Sequence, residues 1–356
     1  MNTVTSTLEI PLHQIASEQI SPKDAAKLMV VKPEDREPLS DRKIIELPQI
    51  LRPGDLIVFN DTKVIPTEIR GYRSSGGASQ PISMFLSDQK TPDCWTVHLK
   101  DDISISKNEK LTFFKGPKTL EAAVKEKTGR VVELQFQQAG LELKEHMARI
   151  RNFPEPPFLN QLPHAKPSDK RSYQTVFAKN EGAALTPSAS LHFTHRLLKA
   201  LDTYGISSCN VTLHVGTESL FPSHAVKDDD KALHSEWGEI TKAAANKINQ
   251  VRAMGGRIIA VGTTVMRLLE SSTDKSQLTK PFRGTTDIFI KPGFQFRATD
   301  ALITNFHPLD STLFLLVSAF SGQNMMLNAY KRAISHNYRF LSFGDSSLLF
   351  RASTSA

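Results

Sequence analysis

Residues 185–195 read Leu-Thr-Pro-Ser-Ala-Ser-Leu-His-Phe-Thr-His, which crowds small residues and hydroxyls around an imidazole at His192. Imidazole takes up or releases a proton near neutral pH, so general acid-base chemistry is the first expectation. Two later segments repeat the layout. Residues 210–216 read as a short strand ending in His214 and Gly216, and residues 301–307 as a strand ending in His307. If these strands lie side by side, three imidazoles gather along the carboxyl edge of one sheet, where open α/β sheets hold their ligands. Each histidine also has a structural reading: His192 bonded to backbone beside Phe193, His214 facing solvent on an alternating strand, His307 fixed by Pro308.

The elements that must position them follow from local signals. Thr194 reads as a helix N-cap, with Phe193 and Leu198 placed to staple the entry and Gly205 to end the helix. Unpaired amide donors at that helix start suit an anionic or carbonyl group near His192. Val261-Gly262-Thr263-Thr264 is a second strand-turn-helix junction, in which glycine permits the turn and threonine caps the helix. It lacks the GxxxxGK[ST] spacing of a P-loop, and Gly255-Gly256 precedes a strand where a dinucleotide fingerprint would follow one. Asn60-Asp61-Thr62 closes an apolar run at 55–59 and reads as an Asx-type turn or a ligand contact. His234-Ser235-Glu236 reads as a surface turn or an acid-base pair, and the acidic run 228–230 as a solvated loop.

The patterning divides the chain. Residues 67–136 hold short β-type runs separated by Gly, Ser, Pro and Asp with no long helix between them, as expected of a small antiparallel barrel. The lysine-rich stretch 115–127 reads as a solvated hairpin arm. Beyond a proline-rich connector at 152–158, strands alternate with helices: helix 195–204, strand 210–215, helix 239–254, strand 257–261, helix 264–271, strands 285–290 and 301–305, helices 311–321 and 325–336, and a last strand near Leu348. The expected fold is therefore an α/β main domain with a mixed, largely parallel sheet, from 1–66 and 150–356, plus an inserted small antiparallel β-barrel domain at 67–149.

Composition bounds the rest. At 356 residues with 39% hydrophobic content, the chain can build two cores unaided. Lys+Arg 44 against Asp+Glu 37 gives a net charge of +7, which permits a polyanionic partner such as RNA without requiring one. Cys94 and Cys209 form neither a CxxC nor a Cys/His zinc spacing, so no disulfide framework or structural metal is expected, and a reducing cytoplasm is the simple setting. No secretory signal is read at the N-terminus, and the apolar run 313–320 is too short to span a bilayer.

Taken together, Phe59-Asn60-Asp61-Thr62, Tyr173-Gln174-Thr175-Val176, Leu191-His192-Phe193-Thr194, residues 211–216, His234-Ser235-Glu236, residues 261–264, Thr304-Asn305-Phe306-His307, Tyr338-Arg339-Phe340 and Phe343-Gly344-Asp345 resemble the S-adenosylmethionine:tRNA ribosyltransferase-isomerase family of queuosine synthesis. The likeness runs through nearly the whole chain in the family's order. It implies a cytoplasmic enzyme, monomeric or weakly dimeric and not membrane-bound. Its substrate would be tRNA carrying 7-aminomethyl-7-deazaguanine at the wobble position. S-adenosylmethionine (AdoMet) would be a consumed substrate: its ribosyl moiety is transferred and isomerised to give epoxyqueuosine, with release of adenine and methionine. Neither a cofactor nor a metal is implied. Two other readings share the partners, an AdoMet-dependent RNA methyltransferase and a catalytically impaired tRNA-binding remnant.

A proton must leave the carbon beside the sulfonium, which calls for a base with a pKa near neutrality; His192 and His214 are the candidates, with His307 as donor to leaving adenine. Methionine's carboxylate is expected on the helix end at Thr263 and Thr264. Asn60, Asp61 and Asp345 are placed on ribose hydroxyls or the aminomethyl group, and Thr62, Thr186, Ser188, Thr194, Gly216 and Asn305 join them as substrate contacts. The chain departs from the family pattern at Ser190 and Glu218, where glycines are expected, at Lys231 in place of histidine, at Asp310 in place of lysine, and at Lys23 and Lys27 in place of arginines. Glu218 is expected to fill the cleft and, if its φ is positive, to cost about 1 kcal/mol.

Overall fold

The computed structural model describes residues 8–75, 78–154, 173–220 and 235–353. Before the barrel the chain forms β1 (Lys27–Val31), β2 (Leu39–Lys43), the single turn α1 (Leu47–Ile50), β3 (Leu56–Asn60) and β4 (Thr62–Val64). The barrel comprises β5 (Glu68–Ser75), β6 (Ala78–Thr91), β7 (Cys94–Leu99), β8 (Lys110–Lys115), β9 (Lys118–Thr128) and β10 (Val131–Phe136), followed by α2 (Gly140–Ile150). Then come β11 (Asn180–Ala183), α3 (His195–Thr203), β12 (Ser207–His214), β13 (Glu236–Ile240), α4 (Lys242–Ala253), β14 (Ile258–Val261), α5 (Thr263–Ser272) and β15 (Phe282–Thr286). The chain closes with β16 (Ala301–Asn305), α6 (Thr312–Ser321), α7 (Gln323–Ser335) and β17 (Ser346–Phe350).

A nine-stranded sheet in the order β15-β13-β12-β3-β14-β16-β17-β1-β2 carries the main domain. The joints β12/β3, β3/β14 and β14/β16 are parallel, as is β17/β1, whereas β15/β13, β13/β12, β16/β17 and β1/β2 are antiparallel. The central strands are buried on both faces, which is why β3 reads Leu-Ile-Val-Phe and β14 Ile-Ile-Ala-Val without alternation. Alternate residues then divide between two cores. Leu56, Val58, Leu213, Ala260 and Leu302 face α4 to α7, while Ile57, Phe59, Val261 and Ile303 face Leu197 and Leu201 of α3. Arg257 makes a forked pair with the buried Asp55 at 3.0 and 2.6 Å, locking the starts of β3 and β14.

The six barrel strands close on a core of their own, with Leu143, Met147 and Ile150 of α2 packed into it. Entry and exit are stitched by paired backbone hydrogen bonds between Glu68 and Asn152, at 3.0 and 2.7 Å. The lysine-rich stretch is not a solvated arm. Strand β9 occupies most of it, with Leu120, Ala122 and Val124 inside the barrel and the lysines of that strand turned outward.

Two other sequence expectations shift. Residues 236–240 form β13 instead of the first turn of a helix, and α4 starts only after Thr241, whose hydroxyl accepts the Ala244 N–H. The strand was masked because its inward positions are Glu236, Gly238 and Ile240, and the carboxylate is buried against Arg267. The strand expected at 285–290 ends at Thr286.

Candidate active site at the carboxyl edge

Because β12, β3, β14 and β16 run parallel, their carboxyl ends meet on one edge at His214, Asn60, Val261 and Asn305. A 3₁₀ segment, Ser188–His192, lies over this edge. Ser188 Oγ donates to Asn305 Oδ1 at 3.3 Å, and Ala189 faces Gly262, whose φ of 92° lets β14 turn straight into α5.

Beside that segment lie two adjoining shallow hollows, open to solvent and sharing Leu191, Ser342 and Phe343. The first is completed by Gln19, Ile20, Lys23 and His192, the second by Pro154, Tyr173, Ala184, Leu185, Thr186 and Ser188. Tyr173 and Phe343 meet edge to face at 6.1 Å and Phe153 lies parallel to Tyr173 at 6.5 Å, giving an aromatic wall suited to a heterocycle. Leu341, just before the shared residues, holds a φ of 69° at a strain of about 1–2 kcal/mol, fixed by its N–H on Phe306 O and its carbonyl on Asn305 Nδ2.

His192 is 5% exposed. Its ring donates to the Lys23 carbonyl, and its Nε2 is buried with no partner among the described residues, so the ring donor is Nδ1. Burial first, and then the charges of Arg339 and Lys23, push its pKa down to about 4. At neutral pH it is therefore a neutral imidazole with an open lone pair, a weaker base than the near-neutral pKa expected from sequence.

Lys23 belongs to a short turn, Lys23–Ala25, whose neighbour Asp24 is fully buried. Asp24 accepts Thr194 Oγ1 at 2.6 Å and Arg196 Nε at 2.7 Å. The Arg196 bonds hold its carboxyl below the usual carboxylate range. Thr194 also caps α3 at Leu197 N, so its hydroxyl anchors the Lys23 turn.

The three histidines do not converge. His214 lies on the same face as the 3₁₀ segment, but its Nδ1 meets Thr62 Oγ1 at 2.7 Å and its ring stacks on Trp237 at 5.1 Å. It lines neither hollow, and burial lowers its pKa. His307 turns to the opposite face, where Nε2 meets Thr304 Oγ1 at 2.9 Å and its backbone N–H reaches the Tyr330 hydroxyl at 2.8 Å. Although the residue as a whole is only half-buried, dehydration pushes this imidazole down to about 4. The physical reason is strand alternation: Thr304 shares the side of Leu302, whereas Asn305 shares the side of Ile303.

Most other expected contacts are consumed by the protein. Asn60 bonds Leu213 O, Leu213 N and Thr62 N, clamping β3 to β12. Asp61 accepts Thr212 Oγ1 at 2.7 Å and Asn180 Nδ2 at 3.0 Å. Asp345, whose pKa burial raises, accepts the N–H groups of Lys27 and Arg339. Asn305 donates to Leu341 O and Gly344 O. Thr263 and Thr264 line neither hollow, though Thr264 Oγ1 is buried without a partner. Thr186 and Ser188 do line the cleft, Thr186 donating to Tyr173 O at 2.6 Å. Gly216 sits against the Glu218 carboxylate.

Glu218 has no positive φ and does not strain its turn. It reaches the barrel, pairing with His98 Nε2 at 3.2 Å and accepting Ser87 Oγ at 3.3 Å; the His98 bond leads in pulling its carboxyl down to about 2. Ser190 likewise takes an ordinary φ, with its hydroxyl buried and without a partner among the described residues. Lys231, His234 and the acidic run 228–230 lie outside the described residues. Sequence reasoning missed Gln19, Ile20, Tyr173, Ser342 and Phe343 as walls of the cleft. The Tyr173 and Phe343 motifs were the available signal for two of them.

The profile of a family described as Queuosine biosynthesis protein matches residues 6–349. The chain is similar to the S-adenosylmethionine:tRNA ribosyltransferase-isomerase of Chelativorans sp. (strain BNC1), 45% identical over 354 residues and covering 97% of this chain and 98% of that one. Similarity to the enzyme of the same name from Rhizobium meliloti (strain 1021) is 43% over 350 residues, with 96% and 97% covered. Among solved structures, an S-adenosylmethionine tRNA ribosyltransferase from Thermotoga maritima superposes with a TM-score of 0.53 at 30% identity, covering 96% of this chain and 98% of that one.

Proposed function

The chain belongs to the queuosine biosynthesis protein family, and from that premise we propose how its cleft performs the family's reaction. The enzyme transfers and isomerises the ribosyl moiety of AdoMet onto 7-aminomethyl-7-deazaguanine of tRNA, giving epoxyqueuosine, adenine and methionine. AdoMet is consumed as substrate in this scheme, with no separate cofactor. The Tyr173/Phe343 wall receives a heterocycle, and Thr186 and Ser188 offer hydroxyls along the second hollow.

The observation that carries the chemical assignment is the buried, unpartnered Nε2 of His192 at the cleft wall. With Nδ1–H committed to the Lys23 carbonyl, the tautomer is fixed and Nε2 is the lone pair available to accept the proton from the carbon beside the sulfonium. His214 acts behind the cleft, ordering the junction of β4, β11 and β12 through Thr62. The basic balance of +7 supports attraction of the tRNA backbone. No described helix is long and apolar enough to cross a membrane; action in the cytoplasm as a monomer or weak dimer completes the proposal.

The deciding experiment incubates the protein with AdoMet and tRNA carrying the modified base and separates the nucleoside products. Adenine and methionine in equal amounts support ribosyl transfer. S-adenosylhomocysteine instead assigns a methyltransferase, and tRNA binding with no AdoMet turnover assigns a binding remnant.

A further inference from the structure

The first hollow has a feature that the reaction above leaves unused. Two cations act on His192, one lining the hollow and one beside its Gln19 wall. Lys23 lines the hollow, and among the described residues no hydrogen bond or ion pair engages its ammonium. Arg339 gives one guanidinium nitrogen to Glu18 O at 3.1 Å, next to Gln19 of the same wall, while its Nη2 is covered from solvent and has no partner among the described residues. Both charges act on His192. An unpaired ammonium in a partly dry pocket is unfavourable unless an anion completes it, and the Arg339 guanidinium, whose charge also acts on Asp345, keeps one covered donor unsatisfied nearby. The rigid anchoring of the Lys23 turn through Asp24 to Thr194 and Arg196 keeps this arrangement in place without ligand.

We propose that Lys23 and Arg339 form the subsite for the amino-acid carboxylate of AdoMet. This rests on the reading of AdoMet as substrate, and it replaces the α5 N-terminus as the carboxylate's seat, since Thr263 and Thr264 line neither hollow. The carboxylate stands only a few bonds from the sulfonium, so an anion held by Lys23 and Arg339 leaves the adjacent ribosyl carbon within range of the neighbouring His192 Nε2. A phosphate of the tRNA backbone is the poorer occupant, because a small hollow bounded by Ile20, Leu191 and Phe343 admits the end of a flexible chain more readily than a polynucleotide. Carboxylate binding also offsets the two charges that depress His192, so substrate itself strengthens the base.

The test is calorimetric titration of wild type, Lys23→Gln, Arg339→Gln and Lys23→Arg with AdoMet and with its decarboxylated analogue, alongside tRNA binding in the same buffer. Wild type should prefer AdoMet by roughly ten- to hundredfold, the size of one or two charged hydrogen bonds. Lys23→Gln and Arg339→Gln should lose most of that preference while binding the analogue as wild type does, and Lys23→Arg should retain it. Variants that still discriminate like wild type overturn the subsite and leave the AdoMet reading intact. Loss of tRNA affinity with unchanged AdoMet affinity assigns the cations to phosphate and also overturns it. Wild type that binds neither nucleoside removes the AdoMet reading itself. Thermal melting of each variant separates loss of the subsite from loss of the fold.

Discussion

The backbone carbonyl of Lys23 accepts the ring N–H of His192, joining a turn near the N-terminus to the 3₁₀ segment over the sheet edge. This contact leaves Nε2 as the buried ring nitrogen without a partner among the described residues, and His192 and Lys23 line the same hollow.

His192 and His307 should separate cleanly by mutation. His192→Ala is expected to lower kcat by roughly 10²–10⁴-fold with tRNA affinity kept, the usual worth of a positioned base. His307→Asn should leave kcat near wild type, because its ring lies on the far face against Thr304, and Tyr330 holds only its backbone. Single-turnover release of adenine measures both. Equal losses at the two positions would return His307 to the active site.

The pH profile follows from the His192 environment. A base must be deprotonated, and this imidazole titrates at about 4 in the free enzyme, so kcat/KM should hold to well below pH 6 and fall only as pH drops through about 4. Lys23→Met removes one depressing charge and should move that limb upward. An acidic limb at 6.5 in wild type would show that another group is titrating.

Asp24 tests the anchor. Asp24→Asn leaves the Arg196 guanidinium and Thr194 hydroxyl with a neutral partner, at an expected cost of about 1–3 kcal/mol, kept modest because the Arg196 side chain is 57% exposed. Chemical denaturation reads the stability. The KM for AdoMet should rise too, as the Lys23 turn loosens; a stability loss with unchanged kinetics would mean that the turn holds its position unaided.

Glu218 ties the segment after β12 to the barrel, and its pH dependence has a defined sign. Its folded pKa of about 2 lies below the ordinary carboxylate value, so its contribution is complete above about pH 4.5 and disappears as pH falls toward 2. Glu218→Gln should therefore lower stability by about 1–3 kcal/mol at pH 6, with the difference from wild type closing across that acidic window. A difference independent of pH would argue that shape, not the His98 pair, carries the contact.

Much was legible in the chain itself because its signals are local. Apolar runs such as Leu56 to Phe59 mark strands buried on both faces, Thr194 and Ser311 announce helix starts, and the short alternating strands before residue 136 announce a barrel. The strand at Glu236–Ile240 was hidden because a buried carboxylate occupies an inward position, and only its partner Arg267, distant in sequence, makes that position tolerable.

The sequence by itself determined the element types, the inserted barrel and a histidine-bearing edge, since periodicity, capping and turn chemistry act over a few residues. Tertiary structure alone decided which histidine meets the cleft. Side chains alternate across a strand, so a ring's face depends on register and on where the chain turns, and His307 and His192 part company for that reason. It also decided that Asn60, Asp61 and Asp345 are structural clamps, because a polar side chain buried among unpaired backbone groups satisfies those first. And it brought the charges of Lys23 and Arg339, 316 positions apart, to bear on one imidazole, a proximity that no local pattern encodes.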